Sequence, residues 1–324
     1  VRVVYVISIF VFVHTDKDLP IYFALTICSM VINALFNWGY KRKYVRFTLK
    51  GLDLRPYIRP FITYGVYALL TSMYISFNVL FLGIVSSNLQ VGYYSTAIKL
   101  FSIILAFFTS FSAVMMPRMS YLFQEKDTQN AKLLIFKSFE MLYPFAFSLI
   151  LIGEFFAPEI IAILSGTGYE GAILPFRIIL PLILIIGTEQ ILIVQILTPM
   201  GKDKAVLTNS IVGSVFGVGL NFLLVPHLGC TGSAIVWLCS ELAVFSSALY
   251  FVIKAQGNVI PMDLLLKNII ILLIPAAAII LMKQIINGYV CFVIAVIIIV
   301  AYTLLTQTFI LKNSIIGSLL KLKK

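Results

Sequence analysis

The chain has 324 residues and a formal net charge of +11; 61% of its residues are hydrophobic and only 11% are charged. An ordinary soluble domain is about 45–50% apolar and about 25% charged, so there are too few charges here to coat a water-facing surface. That balance excludes a soluble enzyme, a disordered tail and a nucleic-acid-binding protein, and apolar runs of about 18 residues or more, long enough for a bilayer core of about 30 Å, predict a polytopic membrane protein.

In chain order the apolar runs are 1–14, 20–38, 60–84, 92–116, 138–164, 173–199, 206–225, 231–253, 268–285 and 289–311. They predict an all-α fold of ten transmembrane helices joined by short polar breaks, with no water-soluble domain inserted. The first run is short. As a helix, Val1–Val13 reaches only about 20 Å, it begins with Val1 rather than Met, and no small-residue cleavage site follows it. The expectation is an N-terminally truncated chain that starts inside a membrane helix.

Positive charge sets the orientation, because cytoplasmic loops are enriched in Lys and Arg. One set of alternate breaks holds Lys41, Arg42, Lys43, Arg46, Lys50, Arg55 and Arg59, then Arg118, Lys126, Lys132 and Lys137. The same side continues with Lys202 and Lys204, Lys254 and Lys267, and finally Lys312, Lys321, Lys323 and Lys324. Nineteen of the 24 basic residues thus mark one side, which places both chain ends in the cytoplasm. The net charge reads as solvated loops against anionic lipid rather than as a nucleic-acid surface. The most polar stretch, 40–59, reads as a basic cytoplasmic linker between two helix bundles.

Cys28, Cys230, Cys239 and Cys291 have no metal-ligand spacing, and His14 and His227 have no ligand-spaced partner. No metal and no cofactor are expected. No nucleotide loop or nucleophile elbow appears either, so no catalytic residue is assigned and the chain is read as a non-enzyme.

The informative residues are then polar ones at bilayer depth. Lys99 lies within the fourth run, and Ser95, Lys99, Ser102, Ala106 and Thr109 share one helical face. The preceding run carries Tyr64, Tyr67, Thr71, Tyr74 and Asn78 on one face. Two polar stripes on neighbouring helices suggest a shared hydrated cavity; the alternative is that Lys99 snorkels to the outer headgroups while the hydroxyls join helices. Glu154, Glu189 and Glu241 also lie in apolar context. Each is a candidate for pairing with Lys99 or for carrying a coupling proton; the alternative is a protonated carboxyl hydrogen-bonded between helices. Pro158 and Pro181 predict bends, since proline removes the bond to the carbonyl four residues back. Asn209, Gly213, Gly217 and Asn221 recur every four residues and predict a close-packing face.

Five segments in order carry a resemblance: LQVGYYSTAIKL at 89–100, MMPRMSYLF at 115–123, FAPEIIAILSGTGYEGAILPFRIIL at 156–180, LTPMGKDKA at 197–205 and LNFLLVPHLGCTGSAIV at 220–236. Together they resemble the polysaccharide biosynthesis family of O-antigen-flippase-like (Wzx-type) transporters, within the multidrug/oligosaccharidyl-lipid/polysaccharide exporter superfamily. The resemblance covers about residues 40 to 255. It implies two six-helix lobes around a central cavity, often with two extra C-terminal helices. On that scheme 1–39 is the end of a truncated N-terminal lobe, 40–59 the linker, 60–253 a complete C-terminal six-helix lobe, and 254–324 two extra helices with a basic cytoplasmic tail.

The function implied is transport of an undecaprenyl-pyrophosphate-linked oligosaccharide across the bacterial cytoplasmic (inner) membrane, for O-antigen, lipopolysaccharide or other surface polysaccharide. Lys99 becomes the candidate anion contact and Arg177 a second one. Tyr64, Tyr67, Tyr74 and Asn78 become candidate sugar contacts, and Ser95 and Ser102 candidate residues of the substrate-binding cavity. Membrane lipids, a polysaccharide polymerase and its chain-length machinery are the implied partners. A multidrug cation extruder of the same superfamily and a membrane-embedded polysaccharide polymerase are the competing readings.

Overall fold

The structure is a computed structural model that describes residues 1–41, 53–286 and 288–313, without the side chains of residues 16, 59, 60, 63, 64 and 73–75. Among the described residues every regular element is helical: α1 (Arg2–Phe12), α2 (Leu19–Lys41), α3 (Arg55–Val85), α4 (Asn88–Gln124), α5 (Thr128–Ser165), α6 (Ile173–Ile179), α7 (Leu182–Glu189), α8 (Asp203–Gln256), α9 (Met262–Lys283) and α10 (Gly288–Leu305), with short 3-10 and π-helical turns between or after them. Seven of these helices are long and apolar enough to cross a membrane, or eight if a bent pair is one span. Helices suit this solvent because each satisfies its own backbone hydrogen bonds where no water is available. Large apolar side chains such as Ile84, Ile103, Val114, Leu223 and Ile285 stand on the outside, as they do on a lipid-facing surface. The chain is a polytopic helical membrane protein.

Two compact units are present, Val1–Ile58 and Arg59–Lys324. In the first, α1 packs against α2 through a 3-10 turn at Asp16–Asp18, closed by a capping box between Thr15 and Asp18. Tyr5 Oη and Thr26 Oγ1 hydrogen-bond across the pair at 2.9 Å. With 11 residues α1 is only about 16 Å long, so the expected span 1–14 falls short of a bilayer core. Residues 42–52 of the expected linker, and the basic tail from 314 onward, lie outside the described residues.

The second unit carries the core, with Tyr94, Phe101, Phe139, Tyr143 and Phe176 almost wholly buried. Its helices start and stop where the local chemistry asks. Asp127 caps α5 by accepting from the backbone N–H of Asn130 at 3.1 Å. Gly166 and Gly257 close α5 and α8 at φ 78° and 80°.

Three breaks shape this unit. The expected bend at Pro181 is present: the segments 170–179 and 182–197 meet at 41°. Pro181 has no N–H to offer the Arg177 carbonyl, which instead accepts from Leu180 at 3.3 Å in a tighter turn. Beyond α7 the helix widens into a π-helical stretch, Gln190–Leu197.

The second break, in α5, is non-helical backbone at Phe156, two residues before Pro158. Lys283 of α9 donates to the Phe155 carbonyl there, lies 3.7 Å from Glu159 and stands 4.5 Å from the Phe156 ring centre. Phe156 also joins Ile279, Cys291, Ala295 and Ile299 in a small separate core under α9 and α10. The bend in α5 is therefore seated on the last two helices.

The third break organises the site. α8 is continuous by hydrogen bonding, yet Gly229 inside it has φ 56° and ψ −132°. Helix cannot continue through those angles, and the two halves, 203–228 and 230–256, fold back on each other. Ser247 Oγ donates to Asn209 Oδ1 at 2.7 Å although 38 residues separate them, a pairing centred on residue 228. The freed N–H of Cys230 is taken by Gln90 Oε1 of α4 at 3.0 Å. Asn209, Gly213, Gly217 and Asn221 are all buried on the first half of this hairpin, the packing face expected from their spacing.

Candidate functional site

The return at Gly229 brings Glu241, on the second half of α8, alongside Asn209 and Ser210 on the first half. Glu189, the last residue of α7, meets them from the other side. The result is a small cavity of about 190 Å³ inside the second unit, lined by Tyr67 and Thr71 of α3, Glu189, and Asn209, Trp237 and Glu241 of α8. Both carboxyls are buried, Glu189 at 6% exposure and Glu241 at 4%. Trp237 Nε1 donates to Glu241 Oε1 at 2.9 Å. This is an i to i+4 pair on one helical face, so the indole and the carboxyl are placed together by local helix geometry alone.

Glu189 and Glu241 thus face the same small cavity. Two carboxylates facing one buried cavity would repel each other in its low dielectric. Glu189 Oε1 and Asn209 Nδ2 are buried without hydrogen-bond partners. An acceptor and a donor in the lining of the same cavity are thus left for an occupant. Tyr67 and Thr71 stand one helical turn apart on its α3 side.

The expected pairing of these acids with Lys99 is not what the structure has. On α4 the buried face carries Tyr94, Ala97, Phe101 and Phe108. Lys99 lies two residues from both Ala97 and Phe101, about 200° away around the helix, and is exposed on the opposite side. Ser102 is exposed as well and donates to the Ile98 carbonyl at 2.7 Å, while Ser95 is half-buried. The acids face a cavity they share with Trp237 instead.

The stripe expected on α3 divides. Tyr67 and Thr71 reach the acidic cavity. Asn78 does not stand on an open surface: it is 3% exposed, and its amide donates to Tyr94 Oη at 2.7 Å and to the Ser233 carbonyl at 2.9 Å. It joins α3, α4 and α8 because its neighbours Phe81 and Leu82 turn that face of α3 into the core. The side chains of Tyr64 and Tyr74 lie outside the described residues.

Glu154 and Arg177 face each other electrostatically across α5 and α6. Both are half-buried, and Arg177 Nε is buried without a hydrogen-bond partner. No group of three metal-ligating side chains occurs among the described residues.

Three polar features went unread in the sequence. Trp237 was readable, since it stands four residues before Glu241. Gln195 of the π-helical stretch is wholly buried, donates to Ser112 at 3.1 Å and accepts from Ser138 at 2.8 Å, which ties α4 to α5. Gln307 donates to Asn268 at 2.7 Å across α9 and the end of α10. These amides stand alone in their apolar runs, and only the packing supplies their partners.

Comparison with curated proteins and with solved structures gives no match. Residues 18–174 match the model of a polysaccharide biosynthesis protein family, from the start of α2 into α6. Over that stretch the chain is similar to proteins of polysaccharide biosynthesis, and of the acidic cavity it includes Tyr67 and Thr71 of α3 and Leu105 of α4.

Proposed function

We propose that the chain acts in transport of a lipid-linked oligosaccharide, of the undecaprenyl-pyrophosphate type, across the bacterial cytoplasmic membrane for surface polysaccharide synthesis. The observation that carries this reading is the family match over residues 18–174 in a chain built of long apolar helices. A polyprenyl tail stays in lipid while the head group crosses, so the protein needs a polar path and not a reaction centre. On this reading the chain is not an enzyme. The reading needs ten helical passes, with the bent α6–α7 pair as one pass, the α8 hairpin as two and the short α1 as part of the first. They divide as an N-lobe end at 1–39, a cytoplasmic linker at 40–59, a six-helix lobe at 60–253 and two further helices with a cytoplasmic C-terminus at 254–324. A polymerase and chain-length proteins would act on the delivered unit.

Lys99 lies on the outward face of α4, away from the core of its own unit, where an anionic head group passing along that face would meet it. Glu189 and Glu241 serve a different role: the two buried carboxyls couple transport to a proton gradient, with Glu154 a further candidate. The extruder reading needs acids in a cavity too, but about 190 Å³ is below the about 300–1,000 Å³ of sites that enclose drug-sized ligands. The pair suits a proton or a small ion.

The test is Lys99→Ala in the bacterium that depends on this protein for glycan export. Surface glycan should fall at least about tenfold, the loss of a contact worth about 1.4 kcal/mol, while the protein remains in the membrane at its normal level. Unchanged export would remove Lys99 from the transport path.

A further inference from the structure

A second, larger cleft of about 890 Å³ opens at the end of the second unit where α8 both begins and finishes. Lys202 and Lys204 enter it from the start of α8 and Lys254 from its last turn. The return at Gly229 is what gathers them, since they stand at opposite ends of one helix in sequence. Asp203 is the acid among them, and Leu197, Leu207 and Phe251 supply an apolar wall.

The placement of two of these lysines runs against local preference. Lys202 is the N-cap of α8 and Lys204 is in its first turn, where the helix dipole is positive and acids are favoured. No side chain caps the Lys202 end. Asp203 between them offsets part of this positive charge, and an anion in the cleft would offset the rest. Such conflicts between sequence and local structure are expected at functional sites. Gly201 turns the chain into α8 at φ 65° and leaves open space where a Cβ would be. The mouth is unobstructed, and the lysines stand on the side that the basic loops mark as cytoplasmic.

We propose that this cleft binds a phosphate group at the cytoplasmic membrane surface, with the lysines on the phosphate. Beside the charges, the apolar wall suits a phosphate carried on a lipid. This site is separate from the acidic cavity and does not rest on the transport reading.

The experiment is thermal unfolding of the purified full chain in neutral detergent, with added phosphatidylglycerol, phosphatidylcholine or inorganic pyrophosphate. Phosphatidylglycerol should raise the midpoint saturably by about 3 °C or more, as a ligand of the native state does, and phosphatidylcholine should not. The rise should vanish in Lys202→Gln/Lys204→Gln/Lys254→Gln and shrink in Lys254→Gln alone, a change that leaves the start of α8 intact. It should persist in Lys126→Gln/Lys132→Gln, which removes basic charge elsewhere on the same side. A saturable rise with pyrophosphate, lost in the same triple variant, supports the phosphate site and identifies a free phosphate as an occupant. No rise with either anion overturns the proposal. So does a rise that survives the triple variant, or one lost equally in the Lys126/Lys132 variant, which would mark attraction to the whole basic face.

Discussion

Glu189 and Glu241 each stand out in sequence as acids in apolar runs, but nothing in their spacing says that they meet. They come together because α8 reverses between Asn209 and Glu241, and that reversal depends on one residue's backbone angles. The Trp237 bond to Glu241 Oε1 was legible as an i to i+4 pair; the cavity shared with Glu189 was not. Lys99 shows the opposite case. Its face was legible from helical period, but period alone does not say which side of a helix is the core, and the structure puts Lys99 away from it. If the two carboxyls work as one proton-carrying unit, their substitutions are not additive. Glu189→Gln and Glu241→Gln should each reduce gradient-driven transport about tenfold or more. The double variant should be no worse than the more impaired single one. Losses that multiply would show two independent sites, and unaltered gradient dependence in both single variants would end the coupling role.

Among the elements, the α8 hairpin carries the most consequence. Two spans at 206–225 and 231–253 were legible because Pro226, His227 and Gly229 interrupt the apolar run. The tightness of their join was not, since it comes from Gly229 at φ 56° and from Gln90 Oε1 reaching the Cys230 N–H. A Cβ on Gly229 would meet Gln90 Oε1 at 2.8 Å, and the positive φ adds backbone strain of about 1–3 kcal/mol. Gly229→Ala should therefore lower the unfolding midpoint clearly more than Gln90→Ala, which loses a single hydrogen bond worth about 1 kcal/mol. Equal effects would place the strain elsewhere. The bend at Pro181 followed from proline chemistry. The seat of the α5 break on Lys283 did not, because its partners at Phe155, Phe156 and Glu159 lie more than a hundred residues away in sequence.

For the whole molecule, composition and hydropathy were enough to establish a helical membrane protein, and alternating charge gave an orientation. That orientation is checkable on the α8 hairpin. His227→Cys and Asn258→Cys, each as the added cysteine, should label from opposite sides of intact cells or spheroplasts, with residue 258 on the cytoplasmic side. Labelling of both from one side would contradict two full passes. The lobe scheme and the transported molecule come from resemblance, and the partial family match connects the chain to polysaccharide biosynthesis without naming the substrate. The most direct test of transport is to delete the gene and ask where the lipid-linked oligosaccharide accumulates. The account predicts loss of surface glycan, with the lipid-linked unit piling up on the cytoplasmic face and reached by an added glycosidase only after the membrane is opened. Lipid-linked units displayed outside but unpolymerised would identify a polymerase, and normal surface glycan in the deleted strain would contradict the account.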